Sequence, residues 1–336
     1  MGNLIGKILR FGRGSGSLPV EGRAPELAGV TAWLNSDPLT MRGLRGRVVL
    51  VDFWTFSCIN CLRTLPHVQA WHEAYRQHGL TVLGLHTPEF SFERGAEAVR
   101  RAVDRLGLTY PIALDDDYLN WKSYGNRYWP AHYFIDAEGD IRAHHYGEGG
   151  YAQSERVIRQ LLTEGGHALD GVPPVITSLP ETAGPGEAVT PETYLGWDRL
   201  EYLGSPESVR PGTVQRYSVP PAIAANTFYL NGAWQLENEY AQTKEAGASI
   251  IFRIRASQAY LVMAGPAGAQ IEVRKDGAPV EAAVAGTDVR PYGSAAVVTL
   301  DEPRLYHLLN DKDDDAKTLE LILRAPDIKA FAFTFA

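Results

Sequence analysis

Cys58 and Cys61 are the two cysteines of the chain. Three residues apart, they would share one face of a helix and could close into a disulfide. Such a pair supports thiol–disulfide exchange, in which one thiolate attacks a disulfide and the second thiol resolves the mixed disulfide. The apolar run Val48–Trp54 leads into the pair, and Leu62, Leu65, Val68 and Tyr75 follow at helical spacing up to Gly79. The thiols therefore fall where a strand hands over to the first turn of a helix, a place whose unpaired N–H groups favour a thiolate. Cys58 is assigned as the exposed nucleophile and Cys61 as the more buried resolving thiol. Asp52, six residues before Cys58, is the one acid in the apolar run. A carboxylate there is costly unless it is paired or functional, and accepting the proton of Cys61 during exchange would explain it.

Other chemistries fit these residues less well. With no second C-x-x-C, a zinc site would have to recruit His67 and His72. On a helix, Cys61 to His67 spans about 9 Å, too far for one tetrahedral ion to take all four. No metal and no bound cofactor is expected. A peroxidase reading can point to Thr55, three residues before Cys58, but the C-x-x-C spacing suits exchange better.

The elements around the motif form an alternating pattern. Residues 80–85 read as a second buried strand, parallel to the first across a right-handed crossover. His86-Thr-Pro-Glu-Phe90 follows, and a strand end on this edge faces the same way as Cys58. Glu89 is therefore expected near the thiols as a second acid. Ala96–Leu106 is an arginine-studded amphipathic helix, residues 110–115 a short strand and residues 118–124 a short helix. Trp129-Pro130 stands directly before a strand at residues 132–136, where an X-Pro bond is a candidate for cis. A turn at 137–140, a hairpin partner at 141–146 and a helix at 151–165 complete the domain. Pro66 should kink the helix that carries the cysteines. Trp33-Leu34-Asn35 and the Gly43 region read as a small added hairpin. The adjacent His144 and His145 point to opposite faces of a strand and read as surface or edge residues.

The pattern V-D-F-W-x-x-x-C-x-x-C followed by a proline-bearing helix resembles the thioredoxin superfamily. The fuller string W-T-F-S-C-I-N-C-L-R-T-L-P, with H-T-P-E-F after it, resembles the TlpA/ResA-type branch, and more narrowly the soluble C-terminal region of DipZ-type proteins. The resemblance covers about residues 22–165 and implies a thioredoxin-like α/β fold and thiol–disulfide oxidoreductase activity. It also implies a carboxylate at Glu89 and a cis Pro130 facing the cysteines, with the Trp129 backbone free to pair with an extended substrate peptide. Ser57 replaces the tryptophan usual before the first cysteine in thioredoxin, and Ile59-Asn60 adds no charge between the cysteines. These departures favour dedicated protein partners over a general role. Electrons must come from an external donor, a task that a membrane thiol transporter domain performs in DipZ-type proteins. The resemblance points outside the cytoplasm. The chain shows no export signal, so a cytoplasmic location stays open.

The 336 residues suggest two domains, and 45% hydrophobic with 21% charged residues is the make-up of a globular protein. A net charge of −8 argues against nucleic acid or an anionic membrane as the main partner. Residues 1–23 read as a flexible lead-in, 24–170 as the thioredoxin-like domain and 171–189 as a proline-rich linker. In residues 190–336 helical patterns give way to alternation: Ile250, Phe252 and Ile254; Leu319, Leu321 and Leu323; Phe331, Phe333 and Phe335. Seven to nine such strands imply an all-β sandwich of jelly-roll type. This half resembles the carbohydrate-binding-module-like domain of DipZ-type proteins, through Thr190-Pro-Glu-Thr-Tyr-Leu-Gly196, Leu305-Tyr306 and the closing Phe-Thr-Phe335. A glycan partner is one reading of that half, with Tyr229, Trp234 and Tyr240 as candidate contacts by residue type. In that case the chain is a binding protein and its first domain a redox-sensitive scaffold. Asn310 to Asp315 reads as a solvated hairpin rather than a calcium loop.

Overall fold

A computed structural model describes residues 17–175, 190–313 and 315–336. The chain forms two compact units, Met1–Gly184 and Pro185–Ala336. No described helix is long and apolar enough to cross a membrane. The expected linker lies mostly at 176–189, outside the described residues.

The first unit is one sheet with helices on both faces. Its elements are β1 (Gly22–Arg23), β2 (Trp33–Leu34), β3 (Val48–Trp54), α1 (Ile59–Tyr75), β4 (Leu80–His86), α2 (Ala96–Leu106), β5 (Ile112–Leu114), α3 (Leu119–Ser123), β6 (Ala131–Ile135), β7 (Asp140–Tyr146) and α4 (Tyr151–Glu164). The strand order is β1-β7-β6-β3-β4-β5-β2. Strands β3, β4 and β5 run parallel, and β6 and β7 are antiparallel additions. Every residue of β3 is buried, because both faces of a central parallel strand are covered. Val48, Leu50 and Trp54 pack with α1 and α4 on one face, and Val49, Val51 and Phe53 pack with Leu44, Tyr124 and Tyr133 on the other.

Helix α1 carries Pro66 in its interior. The chain then tightens into a 3₁₀ turn, Arg76–His78, and ends at Gly79, whose φ of +94° suits only a residue without Cβ. Trp33-Leu34 does not form a separate hairpin. It is the edge strand β2, paired antiparallel to β5. Residues 17–23, placed in the lead-in by the sequence, dock on the sheet: β1 pairs with β7, Leu18 is buried, and the Arg142 guanidinium donates to the carbonyls of Leu18 and Pro19.

The second unit is all β. Its strands are β8 (Thr193–Tyr194), β9 (Val214–Tyr217), β10 (Thr227–Leu236), β11 (Ala241–Thr243), β12 (Ala248–Arg255), β13 (Gln258–Ala264), β14 (Gln270–Lys275), β15 (Ala278–Pro279), β16 (Val289–Tyr292), β17 (Ala295–Thr299), β18 (Arg304–Asn310), β19 (Ala316–Leu323) and β20 (Lys329–Phe335). Two antiparallel layers share β10. Its first half, through Asn231, pairs with β12, and its second half, from Gly232, pairs with β9 and β11. Gly232, at φ +93°, stands where the strand changes layers. The result is a sandwich-like, nearly closed sheet around a core of Phe228, Trp234, Ile250, Phe252, Leu321 and Phe333.

Two expectations for this half are corrected. Tyr229 and Trp234 are buried, closed to a sugar, and Tyr240 packs on Phe331 beneath the Lys329 ammonium. The strands that flank the run after Asn310 do not form the expected hairpin, since β18 pairs with β13 while β19 pairs with β12 and β14. Asp311 is buried there between the ammonium groups of Lys275 and Lys317, so the charge run is partly an internal ion cluster.

Candidate active site

Cys58 is the N-cap of α1, with extended backbone at φ −87° and ψ 118°, and its carbonyl accepts the first helical bond from Leu62 N–H at 3.0 Å. Cys61 falls one turn later on the same face. Cys58 is half-buried and Cys61 fully buried, both as free thiols. Burial pushes the Cys61 thiol well up, and the neighbouring Cys58 and the Asp52 charge push it further. A thiol so disposed needs a proton acceptor before it can attack.

Asp52 is fully buried on the α1 side of β3. Among the described residues, neither carboxylate oxygen holds an aligned hydrogen bond. Its nearest counter-group is His132, whose Nε2 lies 3.3 Å from Oδ1. The Tyr110 hydroxyl is also buried without a partner, and the charges of Asp52 and Cys61 add to the burial that raises it. Asp52 therefore sits in the company of Cys61.

A second acid reaches the motif that the sequence reading did not single out. Glu89 is half-buried in the loop after β4, and its backbone N–H donates to Glu93 at 2.5 Å. That acid is Glu93, close enough to Glu89 to feel its charge. Fully buried at the end of a 3₁₀ turn, Ser91–Glu93, it accepts from the Ser57 N–H at 3.1 Å and the Ser57 hydroxyl at 2.6 Å through Oε1. Its Oε2 accepts from the N–H groups of Glu89 and Phe90. Burial pushes Glu93 up to about 7 against hydrogen bonds from Ser57, Thr55 and Phe90 that pull it down. Glu93 thus clamps the residue before Cys58 to the loop after β4. The available signal was an acid set beside Phe90 and Phe92, where an exposed loop would not place two aromatic rings.

His86 ends β4 opposite Trp54. Its ring stacks on Phe56 at 5.5 Å and meets Trp54 edge-on at 5.1 Å, with the Thr55 hydroxyl 3.4 Å from Nε2. Burial drives it down to about 3, so it stays neutral. Thr55 is thus turned to His86 and Glu93. The histidines weighed for zinc are spent elsewhere: His67 stacks on Tyr151 at 3.6 Å, and His72 meets Tyr110.

The Trp129–Pro130 bond is cis. The Trp129 indole N–H donates to the Thr87 carbonyl at 3.0 Å, and its ring lies 4.1 Å from that of Trp121. This ties the proline loop to the loop after β4. His144 and His145 do point to opposite faces, but only His144 behaves as an edge residue, paired with Glu21 at 2.7 Å. His145 is directed inward, its ring 6.2 Å from that of His132.

Residues 21–144 match the family model described as AhpC/TSA family, and residues 190–336 match the one described as thioredoxin-like C-terminal domain. Protein DipZ of Mycobacterium bovis and of Mycobacterium tuberculosis is 40% identical over 276 residues, covering 81% of this chain and 39% of that protein. Thiol-disulfide oxidoreductase ResA of Halalkalibacterium halodurans is 30% identical over 129 residues, covering 38% of this chain and 68% of that protein. Thiol-disulfide oxidoreductase YkuV of Bacillus subtilis is 29% identical over 140 residues, covering 42% of this chain and 94% of that protein. The chain thus spans 39% of the length of the DipZ relatives it matches.

Proposed function

The chain belongs to the TlpA/ResA-like branch of the thioredoxin superfamily, and from that premise we propose that it exchanges disulfides with protein partners through Cys58 and Cys61. The observation that carries this reading is the asymmetry of the two thiols. One is half-buried at a helix N-cap, and the other is buried one turn on, beside a buried carboxylate.

In the reducing direction, the Cys58 thiolate attacks a substrate disulfide and displaces one substrate thiolate. Cys61 then gives its proton to Asp52 and attacks Cys58 Sγ, which releases the second substrate thiolate and leaves a Cys58–Cys61 disulfide. Glu93 holds Ser57, and so the approach to Cys58. Trp129, before the cis Pro130, offers its backbone to an extended substrate segment, and Glu89 is assigned as a second acid that modulates the thiols. The sequence between the cysteines favours dedicated partners, and an external dithiol donor restores the reduced form.

Equilibration against glutathione or dithiothreitol, read as the mass added by alkylating the free thiols, tests the proposal. The expected result is one reversible two-electron couple that disappears in Cys58→Ser and in Cys61→Ser. A potential near about −270 mV marks a reductant and one near about −120 mV an oxidant. If no reversible couple forms, the exchange reading is wrong.

A further inference from the structure

Asp52, His132 and His145 are register partners on three neighbouring strands. In the β3–β6 ladder Asp52 is opposite His132, and in the β6–β7 ladder His132 is opposite His145. Residues directly opposite in adjacent strands project to the same face. Here that is the face covered by α1 and α4, since their neighbours at the same parity, Leu50, Phe134 and Ala143, all join that core. Polar groups thus form a row across an otherwise apolar layer, from beneath Cys61 to the outer strand β7. Asp52 and His132 are 0% and 1% exposed, and His145 is half-buried.

A row of this kind is expensive. Both Asp52 oxygens, both His132 nitrogens and the His145 Nε2 are buried without an aligned hydrogen bond among the described residues. A buried polar group left unsatisfied is costly, so packing alone gives no reason to set three of them in line. We propose that Asp52, His132 and His145 form a cross-strand path that carries the proton of Cys61 out of the core during the resolving step.

The proposal rests on the exchange reading above and deepens it. As Cys61 Sγ attacks Cys58 Sγ, the bond between Cys58 and the substrate sulfur breaks. Its electron pair leaves on the substrate thiolate, which takes a proton from solvent. The Cys61 proton goes to Asp52. A protonated Asp52 beside the Cys58–Cys61 disulfide is sealed from water, and it must be discharged before the next cycle. His132 Nε2, at 3.3 Å, is the group placed to take the proton. His145 follows, its ring 6.2 Å further along, beneath the Gly147–Gly150 loop that its ring approaches at Gly150.

Among the described residues, Cys61, Tyr110 and His144 are the titratable groups that act on this row. Cys61 faces Asp52 from α1 and Tyr110 faces it from the segment before β5. The Trp71 ring meets His132 edge-on at 6.1 Å, and the Phe134 ring lies 6.2 Å from it along β6. His145 meets His132 from one side and the backbone around Gly147 and Glu148 from the other. Burial holds His145 at about 4, so it is a neutral acceptor at the outer end. His132 acts through Asp52 and is a positioning residue.

The two steps separate in the reaction of the reduced full chain with 5,5′-dithiobis(2-nitrobenzoate). Attack by Cys58 releases a first equivalent of thionitrobenzoate, and resolution by Cys61 releases a second. In His132→Gln the first phase is expected to stay within about twofold of the unaltered chain. The second is expected to slow by about tenfold or more near neutral pH, in keeping with loss of a proton-transfer partner. The deficit should shrink as hydroxide takes over the proton at high pH. Asp52→Asn combined with His132→Gln should be no slower than Asp52→Asn alone, because both act on one proton. His145→Gln, at a half-buried position, should slow the second phase alone and by less. An unchanged second phase in His132→Gln, or equal slowing of both phases, overturns the path. Should His132→Gln fail to fold, an unchanged second phase in His145→Gln overturns it instead. Release of no second equivalent by the unaltered chain sinks the exchange reading itself.

Discussion

Glu93 joins the loop after β3 to the loop after β4 through its side chain. Its two oxygens take the N–H and hydroxyl of Ser57 on one side and the N–H groups of Glu89 and Phe90 on the other. Burial lifts it from its ordinary 4.5 to about 7. Between those values the folded chain keeps a proton that the unfolded chain has released. Stability from this group therefore falls as pH rises through that window and is flat above it. His86 and His145 act with the opposite sign. Burial lowers them from 6.5 to about 3 and about 4, so the unfolded chain takes up protons that the fold refuses, and stability falls as pH drops below 6.5. The two trends oppose each other where the windows overlap. Glu93→Gln removes one of them. Its unfolding free energy should climb more steeply between about pH 5 and about pH 6.5 than that of the unaltered chain. It should also be lower by about 1–3 kcal/mol, since an amide NH₂ now faces N–H donors on one side. Urea unfolding at a series of pH values checks both, and parallel pH slopes in the two chains would show that Glu93 does not titrate in this range.

Strand β4 serves the site through a residue without a side chain. Gly84 is opposite Asp52 in the parallel ladder. A Cβ there would meet Trp54 Nε1 and Tyr110 Cε2 at 3.0 Å, and Ile112 Cγ1 at 3.3 Å. These are ring and branched atoms held inside a packed layer, so they yield only by displacing Tyr110 and Trp54 from beside Asp52. Gly84→Ala is expected to cost about 1–3 kcal/mol, the usual penalty for overfilling a core. It should slow the Cys61 resolving step while leaving alkylation of Cys58 nearly unchanged, and the two-phase thiol assay separates these. Equal slowing of both phases would show that the layer around Asp52 is not what Gly84 protects. The same element shows what was legible in advance. The apolar runs at β3 and β4, the helical spacing of α1 and the stop at Gly79 are local patterns, so they could be read from the chain alone. Asp52 stood out as one acid in seven strand residues. His132 carries the same signal in the apolar strand Ala-His-Tyr-Phe-Ile, but its meaning depends on the register between β3 and β6, which is a tertiary fact. Glu93 needed the loop after β4 to fold back over Ser57. β2 is only two residues long, below the length at which alternation can be seen.

At the scale of the molecule, the two units have separate cores. That of the second unit contains none of the residues that pack around the cysteines. The alternation in β12 and β19 was legible because each buries mainly one face, whereas the count of strands and the shared strand β10 were not, since a change of layer at Gly232 looks in sequence like an ordinary glycine. The charge run after Asn310 misled for a similar reason: its burial follows from Lys275 on a distant strand. Separate cores have a thermodynamic consequence. Leu321 is 1% exposed and lies between Ile250 and Val273 in the ladders of β12 and β14. Truncation to alanine removes buried methyl groups and leaves a cavity, at about 2–5 kcal/mol. In calorimetry of the full chain, Leu321→Ala should lower one transition and leave the other in place. The transition that stays should be the one displaced by oxidising Cys58 and Cys61, because the disulfide acts on the core that contains Cys61. The reduction potential of Leu321→Ala should equal that of the unaltered chain. If both transitions fall together, or if the potential moves, the sandwich contributes to the redox unit's stability, and a substrate bound to one unit would then be felt at the other.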